Sequence, residues 1–483
     1  EKAAPQISLL SRVAVLVAGA ICIGLCLFGI RGRMGYNPIK VSQAYYCEDP
    51  FLNQLGVNPV FNLLTSTLDD NRKENRTLHL MSEEDALSKV QKYLHRQGID
   101  RLSPIARKVE REGTPNRRNV VLVFMESMSA NLMGTFGSDK KLTPYLDSLY
   151  QQSLSFSHFY SSGIHTNHGI YSTLYSFPAI MKRNAMKGSV IPVYSGLPTV
   201  LQENGYCNLF FMTHESQYDN MNAFLRTNGF DEIYAQENYP SEKVVNSFGV
   251  QDDFMYQYAL PILNERAGTG NPFFSVLLSI SNHPPYVIPP YFHPHSDVLE
   301  EQIVEYADWS IRQFMQAAEK QPWFDNTIFV FLGDHGKMVG TPECEMPQSY
   351  NHIPLMIYGK DIKPGVYDGF GGQVDVSPTL LGLLNISYLQ NNFGVNLLEE
   401  ERPCMFFTAD NLIGARDSVN MFIYSPDSQQ EFKYKLEEGK LHAATGTDEE
   451  AFRNLKDYCF SMLQSTESLV KEHKTLDKVS VKK

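Results

Sequence analysis

Three short stretches carry side chains that could do chemistry together. Asn119-Val-Val-Leu-Val-Phe-Met-Glu126-Ser127 is an apolar run ending in a carboxylate. Thr327-Ile-Phe-Val-Phe-Leu-Gly-Asp334-His335-Gly336 repeats the design with an Asp-His pair. Between them, Ser162-Gly-Ile-His165-Thr166-Asn167-His168-Gly169 presents a threonine among small, turn-prone residues. In an open α/β sheet, ligands bind beyond the carboxyl ends of the strands. Carboxylate, hydroxyl and imidazole groups gathered there could hold one divalent cation against a nucleophilic Thr166. That chemistry suits transfer of an anionic ester group. A threonine hydroxyl is a weak nucleophile until a base or a metal activates it. Thr166 could instead cap a following helix, and the two roles are compatible, because a helix N-terminus favours an anionic ligand.

The elements that must position these groups follow from periodicity. Short apolar runs alternate with helical patterns, the signature of a parallel sheet flanked by helices. Strands are expected over 120–125, 208–213, 273–280, 328–332 and 355–358, and helices over 143–152, 197–204, 252–264 and 301–321. Beyond Pro403 the pattern changes, and 404–408, 418–425 and 432–436 read as an antiparallel meander before a polar helix and a basic tail, 478–483. Upstream, Ser82 can cap a helix whose first turn is acidic and whose apolar positions are Ala86, Leu87, Val90 and Leu94. Residues 58–67 read as a short amphipathic helix near a membrane. The stretch 13–30 is uncharged and almost wholly apolar, close to the length that crosses a bilayer. It is long for a signal-peptide core, and no Ala-x-Ala site follows it. Arg12 precedes it while Arg31 and Arg33 follow, so charge does not settle its orientation.

At 483 residues the chain can bury a large core. Its formal charge is 42 − 54 = −12, with no dense basic run before the extreme C-terminus, so nucleic acid is not an expected partner. An acidic protein that handles anionic substrates needs local compensation, which a bound cation supplies. The seven cysteines are Cys22, Cys26, Cys47, Cys207, Cys344, Cys404 and Cys459; they form no CxxC pattern, and the odd count leaves at least one thiol free.

In this order along the chain, the motifs resemble a lipoteichoic-acid-synthase-like phosphoglycerol transferase of the alkaline phosphatase and sulfatase superfamily. The resemblance runs from about residue 119 to about 385. Its most specific piece is Gly333-Asp-His-Gly336. Leu142-Thr-Pro144-Tyr-Leu-Asp-Ser-Leu149, Ser281-Asn-His283-Pro284-Pro285-Tyr286, His352-Ile-Pro-Leu-Met-Ile-Tyr-Gly359 and Val374-Asp-Val-Ser-Pro-Thr379 also match. The resemblance implies an alkaline-phosphatase-like, mostly parallel sheet with a small C-terminal antiparallel sheet. It implies Glu126, Thr166, Asp334 and His335 as ligands of a single metal, a mixed hard set that suits Mn²⁺, Mg²⁺ or Zn²⁺. Mn²⁺ is the expectation for phosphoglycerol transferases, Zn²⁺ for the related phosphoethanolamine transferases. A two-metal site would need a second Asp with two His; His283 and His352 could supply imidazoles, but no second Asp stands out. A true sulfatase would carry Cys or Ser, then Pro two residues on and Arg two further. Here Thr166 is followed by Asn167, His168, Gly169 and Ile170, and threonine cannot become formylglycine.

His283, just past its strand, is assigned to the leaving group or acceptor as general acid and base. His214 is similar to the family's substrate-contacting His, and His352 to a His near the phosphate in the phosphoethanolamine branch. The Gram-positive synthases follow the first of these with a Trp and an Arg; here the stretch reads His214-Glu-Ser-Gln-Tyr218-Asp219-Asn220, with neither. Tyr218, Asp219 and Asn220 could read glycerol hydroxyls instead. His165 and His168 could touch phosphate or cap the turn.

The expected organisation is a transmembrane helix, 1–30, as the last of several; a juxtamembrane helical linker, 31–118; a catalytic domain, 119–400; and a C-terminal antiparallel subdomain with the tail, 401–483. The expected location is a bacterial-type inner membrane with the catalytic domain outside the cytoplasm. The expected reaction moves the headgroup of a lipid such as phosphatidylglycerol through Thr166 to a glycan or polymer acceptor. The alternatives are a phosphoethanolamine transferase or ester hydrolase of the same fold, and an inactive glycan-binding domain.

Overall fold

The computed structural model describes residues 8–477 apart from 35–37, 48–49, 71, 73–74, 76, 100–101, 189–190, 438 and 445–448. The basic tail 478–483 lies outside the described residues. The central sheet has eight strands: β1 (Asn119–Met125), β2 (Leu154–Tyr160), β3 (Cys207–Met212), β4 (Glu232–Tyr234), β5 (Phe273–Leu278), β6 (Thr327–Gly333), β7 (Leu355–Tyr358) and β8 (Gly365–Gly372). Their order is β8-β2-β7-β6-β1-β5-β3-β4. Every pairing is parallel except those of β7, which runs against β2 and β6.

Strand geometry divides the core into two layers. Side chains alternate faces along a strand, so Val120, Leu122 and Phe124 join one cluster while Val121, Val123 and Met125 join the other. Helices Thr166–Tyr175 and Leu197–Glu203 pack on the first face; Pro144–Gln152, Asp252–Ala267 and Leu299–Ala318 pack on the second. Burial on both faces explains why β1 and β6 read as unbroken apolar runs. Asp308, on Leu299–Ala318, accepts hydrogen bonds from the Tyr145 and Leu146 amides at 3.0 and 2.8 Å, fixing the start of a facing helix.

The five strands anticipated in the sheet are present, as are the four helices anticipated around it. The additions are β2, β4 and β8. β2 interleaves Ser and His with Leu and Phe, β4 has three residues, and β8 is a glycine-rich edge strand with a half-exposed face. None offers a continuous apolar run. The C-terminal meander has five strands rather than three, Ile413–Arg416 and Lys440–Ala443 being the additions. The helix expected to be polar, Glu449–Lys471, is amphipathic. It buries Phe452, Leu455, Tyr458 and Leu463 against that sheet and against Glu83–Tyr93.

At the N-terminus, Leu9–Arg31 is a 23-residue helix, long and apolar enough to cross a membrane by length and composition, with no residue buried. Ser8 caps its start, and Gly32 ends it at φ 79°, a conformation glycine adopts without steric cost. The amphipathic stretch near 58–67 forms the helix Pro59–Asp70. All seven cysteines are free thiols.

Candidate active site

The carboxyl ends of the parallel strands supply the site. Glu126 follows β1 and Asp334 follows β6, and these strands are neighbours in register, Met125 against Gly333. The register alone brings the two carboxylates together. Thr166 is the first residue of Thr166–Tyr175, reached by the turn after β2. Its hydroxyl oxygen lies 3.4 Å from Glu126 Oε2. Gly169, one turn along, lets this helix meet the Asp334 loop: a Cβ there would stand 2.3 Å from the Asp334 carbonyl oxygen.

Ligand atoms of Glu126, Asp334 and His335 lie within 4.8 Å of one another. His335 Nε2 is 3.8 Å from Glu126 Oε1 and 3.6 Å from Asp334 Oδ2. His335 Nδ1 lies 2.8 Å from the Gly336 carbonyl oxygen, a bond only a protonated Nδ1 can make, which leaves the Nε2 lone pair facing the carboxylates. Asp334 Oδ1 accepts from the amides of Ser127 and His335, at 2.8 and 2.7 Å. Asp334 Oδ2 is buried and has no hydrogen-bond partner. Burial and the Asp334 carboxylate hold the Glu126 carboxyl well above its usual range. Two buried carboxylates, an orphaned oxygen and an aimed imidazole lone pair form a donor set that fits one small divalent cation.

Four residues the motifs did not single out complete the site. Ser127 takes φ 51°, a left-handed conformation unusual for serine, and so aims its Oγ at Glu126 Oε1, 2.7 Å away. Asn282 donates to the Glu126 and Ser127 carbonyls at 3.1 and 3.3 Å, and Lys337 Nζ donates to Asn282 Oδ1 at 2.6 Å. Burial lowers the Lys337 pKa to about 8, against the pull of Glu300 and Glu126. Gln373 ties the loop before Thr166 to the Asp334 loop: its Oε1 accepts from Ser162 N at 3.0 Å, and its Nε2 donates to the Gly333 and Asp334 carbonyls at 3.1 and 2.7 Å. A buried Arg402–Asp375 pair holds the Gly372-Gln373 turn through Gly372 N. The only sequence cue is adjacency: Ser127 to Glu126, Asn282 to His283, Lys337 to Gly336, Gln373 to Val374.

The other expected residues divide. His283 stands on the rim with Nδ1 bound to the Pro284 carbonyl at 2.6 Å and its ring 4.2 Å from Phe248. Burial lowers its pKa, and His335 adds to the shift. His214 is 1 % exposed, its Nδ1 bonds to the Glu215 carbonyl at 3.0 Å, and its Nε2 is buried with no hydrogen-bond partner. Burial brings its pKa down to about 4. Its ring lies 4.7 Å from Tyr218. Asp219 reaches the residue after Thr166, accepting from Asn167 Nδ2 at 3.0 Å, and pairs with Lys187 at 3.2 Å. Asn220 instead donates to the Met186 carbonyl at 2.8 Å. His165 pairs with Asp410 at 2.6 Å, and His168 with the Arg183 carbonyl at 3.1 Å.

His352 is not brought to this group. Its ring stacks on Tyr160 at 5.3 Å and meets Phe136 edge-on at 5.2 Å, and Nε2 bonds to the Ser157 carbonyl at 2.9 Å. It lines a separate cavity of about 790 Å³ with Arg416 and His158. The Tyr160–His352 bridge between β2 and the start of β7 turns the ring there, and no strand-end motif reveals that.

Thr166 does not cap its helix, whose N-cap position is His165. A carboxylate-histidine cluster beside a hydroxyl on the first residue of a helix, on the carboxyl edge of such a sheet, accompanies an alkaline-phosphatase-like fold. Solved structures agree. An alkaline phosphatase superfamily protein from Vibrio parahaemolyticus superposes with TM-score 0.74 at 24% identity, covering 83% of this chain and 99% of its own. The lipoteichoic acid synthase LtaP from Listeria monocytogenes gives 0.64 at 22% identity, covering 80% and 98%. The chain belongs to the sulfatase family, whose model matches residues 118–386. Within that superfamily it is a lipoteichoic-acid-synthase-like member, an enzyme class acting on phosphate or sulfate esters. The lipoteichoic acid synthase-like YvgJ of Bacillus subtilis is 25% identical over 362 residues, 68% of this chain and 56% of its own length. The chain spans about half the length of the curated relatives it matches.

Proposed function

We propose that this protein is a membrane-anchored phosphoglycerol transferase with its catalytic fold on the extracytoplasmic side of a bacterial-type membrane. The observation that carries the reading is the Thr166 hydroxyl at a helix N-terminus, 3.4 Å from Glu126 and facing the Glu126–Asp334–His335 cluster. One divalent cation, Mn²⁺ in this reading, would be held by Glu126, Asp334, His335 and Thr166 Oγ. When bound, it lowers the hydroxyl pKa of Thr166 and offsets charge on the phosphoryl oxygens.

Thr166 Oγ, having given its proton to solvent and entering as the alkoxide, attacks the phosphorus of a phosphodiester lipid such as phosphatidylglycerol. The new P–O bond to Thr166 forms as the bond to diacylglycerol breaks. His283 gives the leaving alkoxide its proton, then takes one from the acceptor hydroxyl of a glycan or growing polymer. Attack by that hydroxyl releases the glycerophosphoryl group and restores Thr166. The N-terminal amides and dipole of Thr166–Tyr175 stabilise the phosphoryl oxygens. Gln373 holds the two loops that carry nucleophile and ligands in one geometry.

Headgroup choice rests on the His214 region. Its two carboxylates are already paired with cations, Glu215 with Arg33 at 2.6 Å and Asp219 with Lys187. Such a setting does not select an ammonium group, which favours glycerol over ethanolamine. The test is intact mass of the wild-type protein after incubation with Mn²⁺ and phosphatidylglycerol without an acceptor, so that the second step has no substrate. A glycerophosphoryl adduct that disappears in Thr166→Ala is expected. An adduct from phosphatidylethanolamine alone would move the protein to that branch; no adduct from either lipid would overturn the covalent mechanism.

A further inference from the structure

The segment that leaves the apolar helix does not trail away from the catalytic fold but docks beside the site. Ile39 N donates to the carbonyl of Arg31, the last residue of Leu9–Arg31, at 2.9 Å. Arg33 pairs with Glu215, the neighbour of His214. Asn222 Nδ2 donates to the Tyr45 carbonyl at 2.9 Å, and Tyr45 is buried in the core. Between this segment, the helix Pro59–Asp70 and the turn at Asn220 lies a cavity of about 420 Å³. Its lining combines cationic residues, Lys40, Arg72 and Lys187, with apolar ones, Ile39, Phe61 and Ile191. Pro59–Asp70 also exposes Val60, Leu63 and Leu64, none of which lines the cavity, each at least 60 %. An exposed apolar face on a short helix is how a segment lies in a membrane interface.

We propose that this cavity is the entry site for an anionic phospholipid, its phosphate against Lys40, Arg72 and Lys187 and its first acyl carbons against Ile39, Phe61 and Ile191. The proposal rests on the membrane-anchored, lipid-using reading above and adds where the lipid enters. Three observations select this occupant over a soluble metabolite or a protein partner. The cavity mouth is joined by a hydrogen bond to the end of the bilayer-length helix. Its lining combines charge and hydrocarbon, as a phospholipid does at its glycerol backbone. Its cationic residues lead inward: Lys187 pairs with Asp219 at 3.2 Å, and Asp219 accepts from Asn167, the residue after Thr166, at 3.0 Å. Burial and the like charge of Lys187 lower the Lys40 pKa, against the pull of Asp219 and Glu215. An added anion there would relieve that repulsion.

The probe is phosphatidylglycerol with a diazirine on the acyl chain near the glycerol, a minor component of phosphatidylcholine nanodiscs holding the full chain with Thr166→Ala. Light-induced labelling mapped by mass spectrometry is expected on peptides containing Ile39, Phe61 or Ile191. Lys40→Glu with Arg72→Glu should cut it about tenfold, since each basic side chain near an anionic surface contributes comparably to attraction. A thermal melt checks that this variant folds, and Lys40→Gln with Arg72→Gln, a milder change, should give an intermediate loss. Labelling confined to residues 9–31, or equal labelling by a diazirine phosphatidylcholine, or indifference to both variants, would overturn the proposal. Readouts separate this site from the chemistry. Cavity labelling without a Thr166 adduct in the wild-type chain, incubated without acceptor, keeps the lipid site and removes the transfer reaction. An adduct without cavity labelling does the reverse.

Discussion

His335 and His352 stand on the same edge of one sheet, one just after β6 and the other just before β7, yet their surroundings have opposite character. Around His335, Nε2 faces two carboxylates and Asp334 Oδ2 is buried with no hydrogen-bond partner. Around His352, two aromatic rings enclose the imidazole and the Ser157 carbonyl takes its Nε2. A buried polar atom left unpaired costs about 1–3 kcal/mol. At Asp334 the orphan is a carboxylate oxygen beside a second buried carboxylate and an imidazole, a set a cation would satisfy. His352 has no carboxylate partner among the described contacts. The first region therefore reads as a binding site and the second as packing. Both are histidines at the same edge of the sheet; partners make the difference.

Four substitutions sharpen or break this contrast. The largest effect is expected from Asp334→Ala, which removes a ligand and the acceptor for two amides. Headgroup transfer should fall by about a thousandfold or more, and metal measured by elemental mass spectrometry should drop from stoichiometric to background. Full metal content in the variant would take Asp334 out of the coordination set. Chelation of the wild type should reproduce the loss, with recovery on adding Mn²⁺.

Next is Gly169→Ala. The new methyl would meet the Asp334 carbonyl at 2.3 Å, so the nucleophile helix must retreat. A stability loss of about 1–3 kcal/mol in urea is expected. Turnover should fall about a hundredfold, because a displacement near 1 Å suffices for that. Unchanged turnover would mean the helix need not approach so closely.

Third is a pH effect at His214, held neutral by burial with its pKa at about 4 rather than 6.5. The unfolded chain takes up the proton first, so this contribution is intact above pH 6.5 and is lost as pH falls toward 4. The slope approaches about 1.4 kcal/mol per pH unit. His214→Gln should flatten the urea-midpoint profile over that window; superimposable profiles for variant and wild type would show that His214 does not titrate this way.

The smallest effect is expected at His352→Phe, which keeps the ring contacts and gives up one hydrogen bond. Stability should change by about 1 kcal/mol, and turnover should stay close to wild type. A loss in turnover comparable to that of Asp334→Ala, with metal retained, would put His352 into the chemistry and end the contrast.

Periodicity established a parallel α/β sheet and much of its strand set, while the resemblance carried by the order of motifs supplied its alkaline-phosphatase-like class. β1, β5 and β6 are buried on both faces and so are written as continuous apolar runs, and the residues that follow them, Glu126, His283 and Asp334-His335, are found by looking just past each run. Thr166 was legible from its turn-prone context and its place in the order of motifs. Only the tertiary structure decided the rest. β4 and β8 are the edge strands, and β2, although interior to the sheet, is only partly buried; edge position or partial exposure relaxes the apolar requirement in each. The reversed direction of β7 is a property of its pairing, not of Leu-Met-Ile-Tyr itself. Gln373, Ser127, Asn282 and Lys337 act through hydrogen bonds to atoms distant in the chain or through a backbone bend, and such bonds leave no period behind. His352 parted from His335 for the same reason: a side chain's type is local, but what satisfies it is set by the neighbours that folding brings.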